Sequence, residues 1–435
     1  MTDRTANAVL RPSSAALPWL MWGAAASLYG FGQIARHSPS AMIDDLMRDF
    51  AVDASALGLI ASVFWYAYAA MQIPGGFLLD RFGPARVLGG STILAGLGCL
   101  AFALAPDDGV ALVARLLMGA GFAISYVGCL KSAGQWFERR RFPTFVGLSV
   151  FAGMIGALLG QVPMAALVDE VGWRSVAYGF AVASVPIALV LLYTGRSKPL
   201  FVTPAPSMRE LVGMLGQAAR ARDVWLAGLA NLGTTAPIVA FSLWGVAHYM
   251  QVHGLSRPEA ATYTSTILIG WAIGSPLVGH LTARIGRRKP VLIAGLSACL
   301  ALWLLTVFVM PTMPRPSHYA LLLIVGLAGG VVSVCFSLAV EHGPPRAPGV
   351  TSALVNTLIM AGAALTQGLV GVLLDAQWSG EMVNGVRHYS EGAFNHAFMI
   401  MPAFSLVGLI AALCVRETYG RLRGDAEAVP AMGAK

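Results

Sequence analysis

Pro74-Gly75-Gly76-Phe77-Leu78-Leu79-Asp80-Arg81-Phe82-Gly83-Pro84-Ala85-Arg86 separates two apolar runs, one from about Ser55 to Leu79 and one starting at Val87. The pattern predicts a helix, a tight charged turn and a second helix. Gly76 would let two helices approach closely, Gly83 would supply the turn, and Asp80 with Arg81 and Arg86 would form a charge cluster at a membrane surface. The stretch Gly279-His280-Leu281-Thr282-Ala283-Arg284-Ile285-Gly286-Arg287-Arg288-Lys289 repeats the glycines, the arginine and the basic end, 203 residues on from Gly76 to Gly279. A second pair, MIGALLGQVPMAALVD from Met154 and MAGAALTQGLVGVLLD from Met360, has nearly the same offset. Gly156/Gly362, Gln161/Gln367 and Asp169/Asp375 are among its identical positions. Two repeats at one offset predict a duplicated half-molecule. Ala283 stands where the second copy would need an aspartate, so its charge lock should be the weaker one.

Composition places the chain in a bilayer. Of 435 residues 57% are hydrophobic and 11% charged, with mean hydropathy +0.69. A spanning helix needs about 20 apolar residues, and twelve such runs are present. They lie near 17–38, 55–79, 85–105, 110–137, 143–168, 175–193, 224–250, 259–283, 290–310, 319–342, 348–374 and 394–416. Residues 1–16 read as a polar tail, 194–223 as the linker between halves (17–193 and 224–416), and 417–435 as a second tail. Cys99, Cys129, Cys299, Cys335 and Cys414 all sit in apolar runs without metal-ligand spacing, as small packing residues do.

The pattern G-x-L-x-D-R-x-G-x-x-R, here Gly76, Leu78, Asp80, Arg81, Gly83 and Arg86, resembles the loop between the second and third transmembrane helices of the major facilitator superfamily. The resemblance implies an all-α membrane protein of twelve transmembrane helices in two pseudo-symmetric six-helix bundles. It also implies that the halves rock about a midplane site, and that this loop steadies the outward-facing arrangement through contacts with the other half.

Charge sets the expected orientation. With the amino terminus inside, 22 Lys or Arg fall in inner segments and five in outer loops (Arg48, Arg174, Arg257, Arg315, Arg387), which leaves Arg36 and Arg115. That asymmetry predicts both termini on the cytoplasmic side of the inner membrane. It also accounts for the net charge of +8 without nucleic acid as a partner.

Arg36, Arg115 and Lys131 stand within the spans, where charge is costly and points to function. Snorkelling is the alternative for Arg36 and Lys131, and a hydrogen bond to a backbone carbonyl is the alternative for Arg115. Tyr29, Gln33, Tyr66, Gln161, Asn231, Asn356 and Gln367 join them as candidate substrate contacts. Glu341 reads as an inner gate able to pair with a cytoplasmic basic residue, and Gly279, Arg284, Gly286 and Arg287 as the second signature loop. The interior is positively biased, so an anionic or zwitterionic substrate suits it. The segments Ala35-Arg36-x-Ser38-x-Ser40-Ala41, Phe64-x-Tyr66-x-Tyr68, Gln72-Ile73-Pro74-Gly75-Gly76 and Arg115-Leu-Leu-Met-Gly119 resemble organic-anion carriers of the anion:cation symporter group. Phe122 replaces the proton-sensing glutamate of that group. Helix 5 also lacks the Gly-Pro-x-x-Gly-Gly core of drug/proton antiporters.

No P-loop, zinc-spaced set or nucleophile elbow occurs, so neither an enzyme nor an ATP-driven pump is expected. The expectation is a monomeric secondary transporter without cofactor, moving a small organic anion, amino acid or short peptide with or without a coupling proton or cation. An efflux carrier for amphipathic compounds, an importer of a bulkier solute such as a siderophore, and a non-transporting solute receptor are the rivals.

Overall fold

The computed structural model describes residues 16–196, 207–345 and 348–420; the tails 1–15 and 421–435 and the centre of the linker lie outside the described residues. The first half contains α1 (Leu17–His37), α2 (Ile43–Asp49), α3 (Ala54–Phe82), α4 (Pro84–Ala103), α5 (Asp108–Phe122), α6 (Ser125–Trp136), α7 (Phe142–Leu159), α8 (Val162–Val171) and α9 (Trp173–Thr194). The linker carries α10 (Met208–Arg220). The second half follows with α11 (Arg222–His253), α12 (Arg257–Ile285), α13 (Lys289–Phe308), α14 (Arg315–Gly329), α15 (Val332–His342) and α16 (Pro348–Ala376). A two-stranded hairpin, β1 (Met382–Val383) and β2 (Val386–Arg387), then leads to α17 (Glu391–Phe398) and α18 (Ile400–Cys414).

With α5/α6, α7/α8, α14/α15 and α17/α18 each counted as one broken rod, and the short α2 and the linker helix α10 set aside, the described residues form twelve rods. Ten rods are long and apolar enough to cross a membrane, and the α7/α8 pair, bent by 44°, makes eleven. The twelfth, α1, has the length at 21 residues and falls short only in apolarity. Leu97, Phe151, Val182, Leu189, Phe308 and Leu277, each more than half exposed, face where lipid would lie.

Several local expectations need correction. The helix that enters the signature stretch runs on to Phe82, so Asp80 and Arg81 are helical and the turn is Gly83 alone, at φ +80°. Gly76 has open space where a Cβ would project. The close approach is at Gly75, where a Cβ would meet the Ile124 side chain at 1.8 Å. Gly279 likewise packs loosely, whereas Gly286 takes φ +69° and ends α12. The linker is not wholly irregular: a Ser207/Glu210 capping box starts α10. Four of the cysteines are buried and Cys414 is exposed.

The rods leave two unlike ends. The signature loops gather Arg81, Arg86, Arg284, Arg287 and Arg288 at a basic end, and Asp45, Asp53, Asp169 and Asp375 lie at the other, acidic end. The halves meet along α3 and α16, which run antiparallel. Asp375 accepts hydrogen bonds from the Ala54 and Ser55 amides at the start of α3. Deeper, the Ser62 hydroxyl donates to the Ala364 carbonyl, and near the basic end Asn356 Nδ2 donates to Gln72 Oε1 at 2.8 Å. Small residues permit this closeness. A Cβ on Gly371 would stand 2.2 Å from the Ala54 carbonyl oxygen, and one on Gly58 would stand 3.0 Å from that of Gln367.

Ion pairs joining the halves among the described residues are confined to the acidic end. Arg257 reaches Asp45 at 2.8 Å and Asp169 at 3.2 Å, and Arg387 reaches Asp53 at 3.7 Å. The acidic end is therefore shut in this conformation. A Gly371→Leu substitution should stop it shutting. A cysteine placed at Ser62 in a cysteine-free background would then react several-fold faster with a membrane-impermeant maleimide supplied from the acidic side. An unchanged rate would show that α3–α16 contact does not close that end.

Candidate functional site

Beneath the shut end, α1, α3, α11 and α16 converge on a cavity lined by Arg36, His37, Trp65, Val239, Ser242, Leu243 and Gln367. Trp65 is eleven residues into α3, about 16 Å from its acidic-end terminus at 1.5 Å per residue. The Arg36 guanidinium lies between two rings, 4.7 Å from the centre of Trp65 and 4.3 Å from that of Tyr68. Such stacking holds a desolvated guanidinium flat while leaving its edge free to donate. Its buried Nε has no partner, and neither does Gln367 Oε1. Free space in the cavity is about 10 Å³, room for at most one water. The walls have collapsed onto the site.

Arg115 does not line this cavity. It is 1% exposed, donates to the carbonyls of Ala35 at 3.2 Å and Ile60 at 3.4 Å, and lies over the Phe64 ring. These bonds tie α5 to α1 and α3, while its buried Nη2 has no partner. Lys131 is no central cation either, because it pairs with Asp80 of the signature loop within the same half. In the second half Arg288 pairs with Glu341 at 3.0 Å, and Thr418 also donates to Glu341. The lock missing at Ala283 is thus rebuilt with its polarity reversed: the loop supplies the cation and the helix the acid. Among these basic residues, Arg86, Arg284 and Arg287 are exposed, and Arg81 stacks near Phe82.

The other candidates scatter. Gln33 donates to the Tyr29 hydroxyl at 2.9 Å, and Tyr29 packs on Tyr126. Tyr66 is 42% exposed and points away from the core, which removes it from the site. Gln161, at the break between α7 and α8, accepts from Thr264 of the other half and keeps a buried, unpartnered Nε2. Asn231 accepts from Thr235 on its own helix and leaves Nδ2 unpaired. Asn356 is spent on Gln72.

The sequence reading missed the acidic-end residues. Asp375 accepts from Ser55, Tyr389 and Arg387, and its repeat partner Asp169 holds Arg257 at the start of α12. Each repeat's terminal aspartate reaches the first turn of a helix in the other half. Their identity in the two repeats was the available signal. A cavity of about 360 Å³ beside them is lined by Asp44, Asp45, Arg48, Gln251, Arg257 and Arg387, among others. Its arginines are already matched by carboxylates, and burial raises the Asp44 carboxyl above the usual range despite nearby Arg257. Among the described residues no group of three His, Cys, Asp or Glu could hold a metal ion.

The family model described as Major Facilitator Superfamily matches residues 21–367 and, again, 235–430. The chain belongs to this superfamily. It is 25% identical over 285 residues to a protein of Cupriavidus necator named "Probable sulfoacetate transporter SauU", covering 62% of this chain and 66% of that one. It is 23% identical over 411 residues to "Probable galactarate/D-glucarate transporter GudP" of Bacillus subtilis, covering 85% of both. "Multidrug resistance protein Stp" of Mycobacterium tuberculosis is 25% identical over 389 residues, 77% of this chain and 72% of that one. Among solved structures, a bacterial homolog of the human lysosomal transporter Spinster superposes with TM-score 0.76 at 15% identity, over 93% of this chain and 98% of that one. This last likeness establishes the superfamily fold.

The two interior arginines should separate by assay. Arg115→Ala leaves two buried carbonyls without their charged donor, a cost of about 2–4 kcal/mol, and should lower the thermal midpoint of the purified protein by several degrees. Arg36→Ala should shift that midpoint less and cut solute transport at least tenfold. Equal midpoints for the two variants would contradict this division.

Proposed function

We propose that this superfamily member is a secondary transporter that carries small organic anions by alternating access, with the basic end and both termini cytoplasmic. One observation carries the reading. The central cavity presents an aromatic-stacked guanidinium with a free N–H, and no carboxylate lines it. Buried donors without acceptors are costly, and the group that satisfies a guanidinium best is an oxyanion. Gln161 Nε2 and Asn231 Nδ2 add to the surplus of buried donors near the helix contacts.

The relatives support the same class, since sulfoacetate and the hexarates in their names are small, highly oxygenated anions. Transport follows from the geometry in stages. Arg36 binds the anion while the acidic end is open, and Asp375 and Arg257 draw the halves together above it. Among the described residues, basic-end contacts between the halves include no ion pair and are neutral, as at Gln72–Asn356, so that end parts more readily. Asp80–Lys131 and Arg288–Glu341 keep each half rigid as it swings. No cofactor enters this scheme, and one chain contains the whole pathway. Efflux of amphipathic compounds is the second reading, supported by the likeness to the multidrug resistance protein.

Proteoliposomes containing the full chain should take up labelled D-glucarate or sulfoacetate. Arg36→Ala should reduce initial uptake at least tenfold, a loss of ~1.4 kcal/mol or more. Absence of uptake by folded protein, with inhibition of dye efflux by unrelated hydrophobic compounds, would replace the anion reading with the efflux one.

A further inference from the structure

Arg36 has a neighbour in the cavity that the anion reading leaves unused. His37 lines the same space. Its Nδ1 is 2.9 Å from the carbonyl oxygen of Gln33, one helical turn back. A carbonyl can only accept, so the neutral ring carries its proton on Nδ1 and its lone pair on Nε2. Among the described residues, the ring's hydrogen bond is the one at Nδ1, and Nε2 has no partner. Gly160, at the break between α7 and α8, lets the helices approach closely here, since a Cβ on it would stand 3.0 Å from the His37 Cβ.

No carboxylate lines this cavity, and none acts on the ring. Arg36 on α1 is the charged group that acts on it. The cavity receives Trp65 from α3, Val239, Ser242 and Leu243 from α11 and Gln367 from α16. The titratable groups nearby, Tyr29 on α1 and Tyr68 on α3, are phenols that face the same arginine. Phe122, the last residue of α5, adds no charge and is buried against Phe31 and Phe64.

We infer that His37 is the proton-coupling group of this carrier, taking up one proton at Nε2 as an anion binds Arg36, so that anion and proton move together. This rests on the anion reading above. In the empty cavity a protonated ring beside Arg36 would set two positive charges together with no counter-ion. An oxyanion on the guanidinium removes that opposition, and the new Nε2–H can donate to a second oxygen of the same anion. Proton and anion therefore strengthen each other's binding, equally in both directions. The step balances simply. Water on the open side gives up the proton, the Nε2 lone pair forms the N–H bond, and after the halves swing the proton returns to water as the anion leaves.

The test is calorimetry of the purified full-length protein with D-glucarate and with sulfoacetate as the probes, in buffers of different ionisation enthalpy between pH 6 and 8. Wild-type protein should take up about one proton per anion, and its affinity should fall as pH rises, by up to tenfold per unit. His37→Gln should bind more weakly at low pH, with no proton uptake and a pH-independent affinity. His37→Lys, whose charge is fixed, should bind without proton uptake. Wild-type binding without proton uptake, or the same uptake in both variants, would overturn the inference while leaving the anion reading intact. If neither anion binds to wild-type protein, the anion reading fails and this inference fails with it.

Discussion

A carboxylate at the end of one half seals the other. Asp375, one residue from the end of α16, sits on the first turn of α3 and takes both of its leading amides. A helix N-terminus carries partial positive charge and unsatisfied N–H groups, so this contact is electrostatically favourable and geometrically selective. It brings the α3 and α16 backbones together where Gly58 and Gly371 leave no side chain to keep them apart. The closed acidic end and the collapsed cavity below it follow from that approach.

The arrangement at this end is symmetric in its logic. Asp169 does for α12, through Arg257, what Asp375 does for α3 directly. At the basic end the charges are used differently. Asp80–Lys131 and Arg288–Glu341 each join elements of a single half. Strong contacts across the halves at one end, and strong contacts within the halves at the other, are what a molecule opening toward its basic end requires. With the acidic end shut, the signature loop braces its own half through Asp80–Lys131; its expected contact with the other half belongs to the outward-facing arrangement.

The central site follows a different constraint. A guanidinium in a lipid-embedded core needs partners, and the two interior arginines find different ones. Arg115 spends Nε and Nη1 on backbone carbonyls, keeps a buried Nη2 unpaired, and becomes part of the scaffold. Arg36 is held by the π faces of Trp65 and Tyr68, which leave its hydrogen-bonding edge available. The same residue type thus serves as a rivet in one place and as a binding group in the other.

By itself the sequence determined the membrane class and the duplicated halves, because lipid demands long apolar helices and duplication leaves a constant offset. It also placed the glycine turns and the reversal of charge between ends. It pointed to a positive interior, yet it could not rank Arg36 above Arg115, since both are single arginines in apolar runs. Only the packing of α1 against α3 showed which was already hydrogen-bonded. Tyr66 and Tyr68 differ by two residues, and helical geometry turns one to lipid and the other onto Arg36. Asp169 and Asp375 were visible as a repeated pair, but their purpose depends on helix ends hundreds of residues away in the chain. Such long-range meetings leave no local pattern, and so the tertiary structure alone decided them.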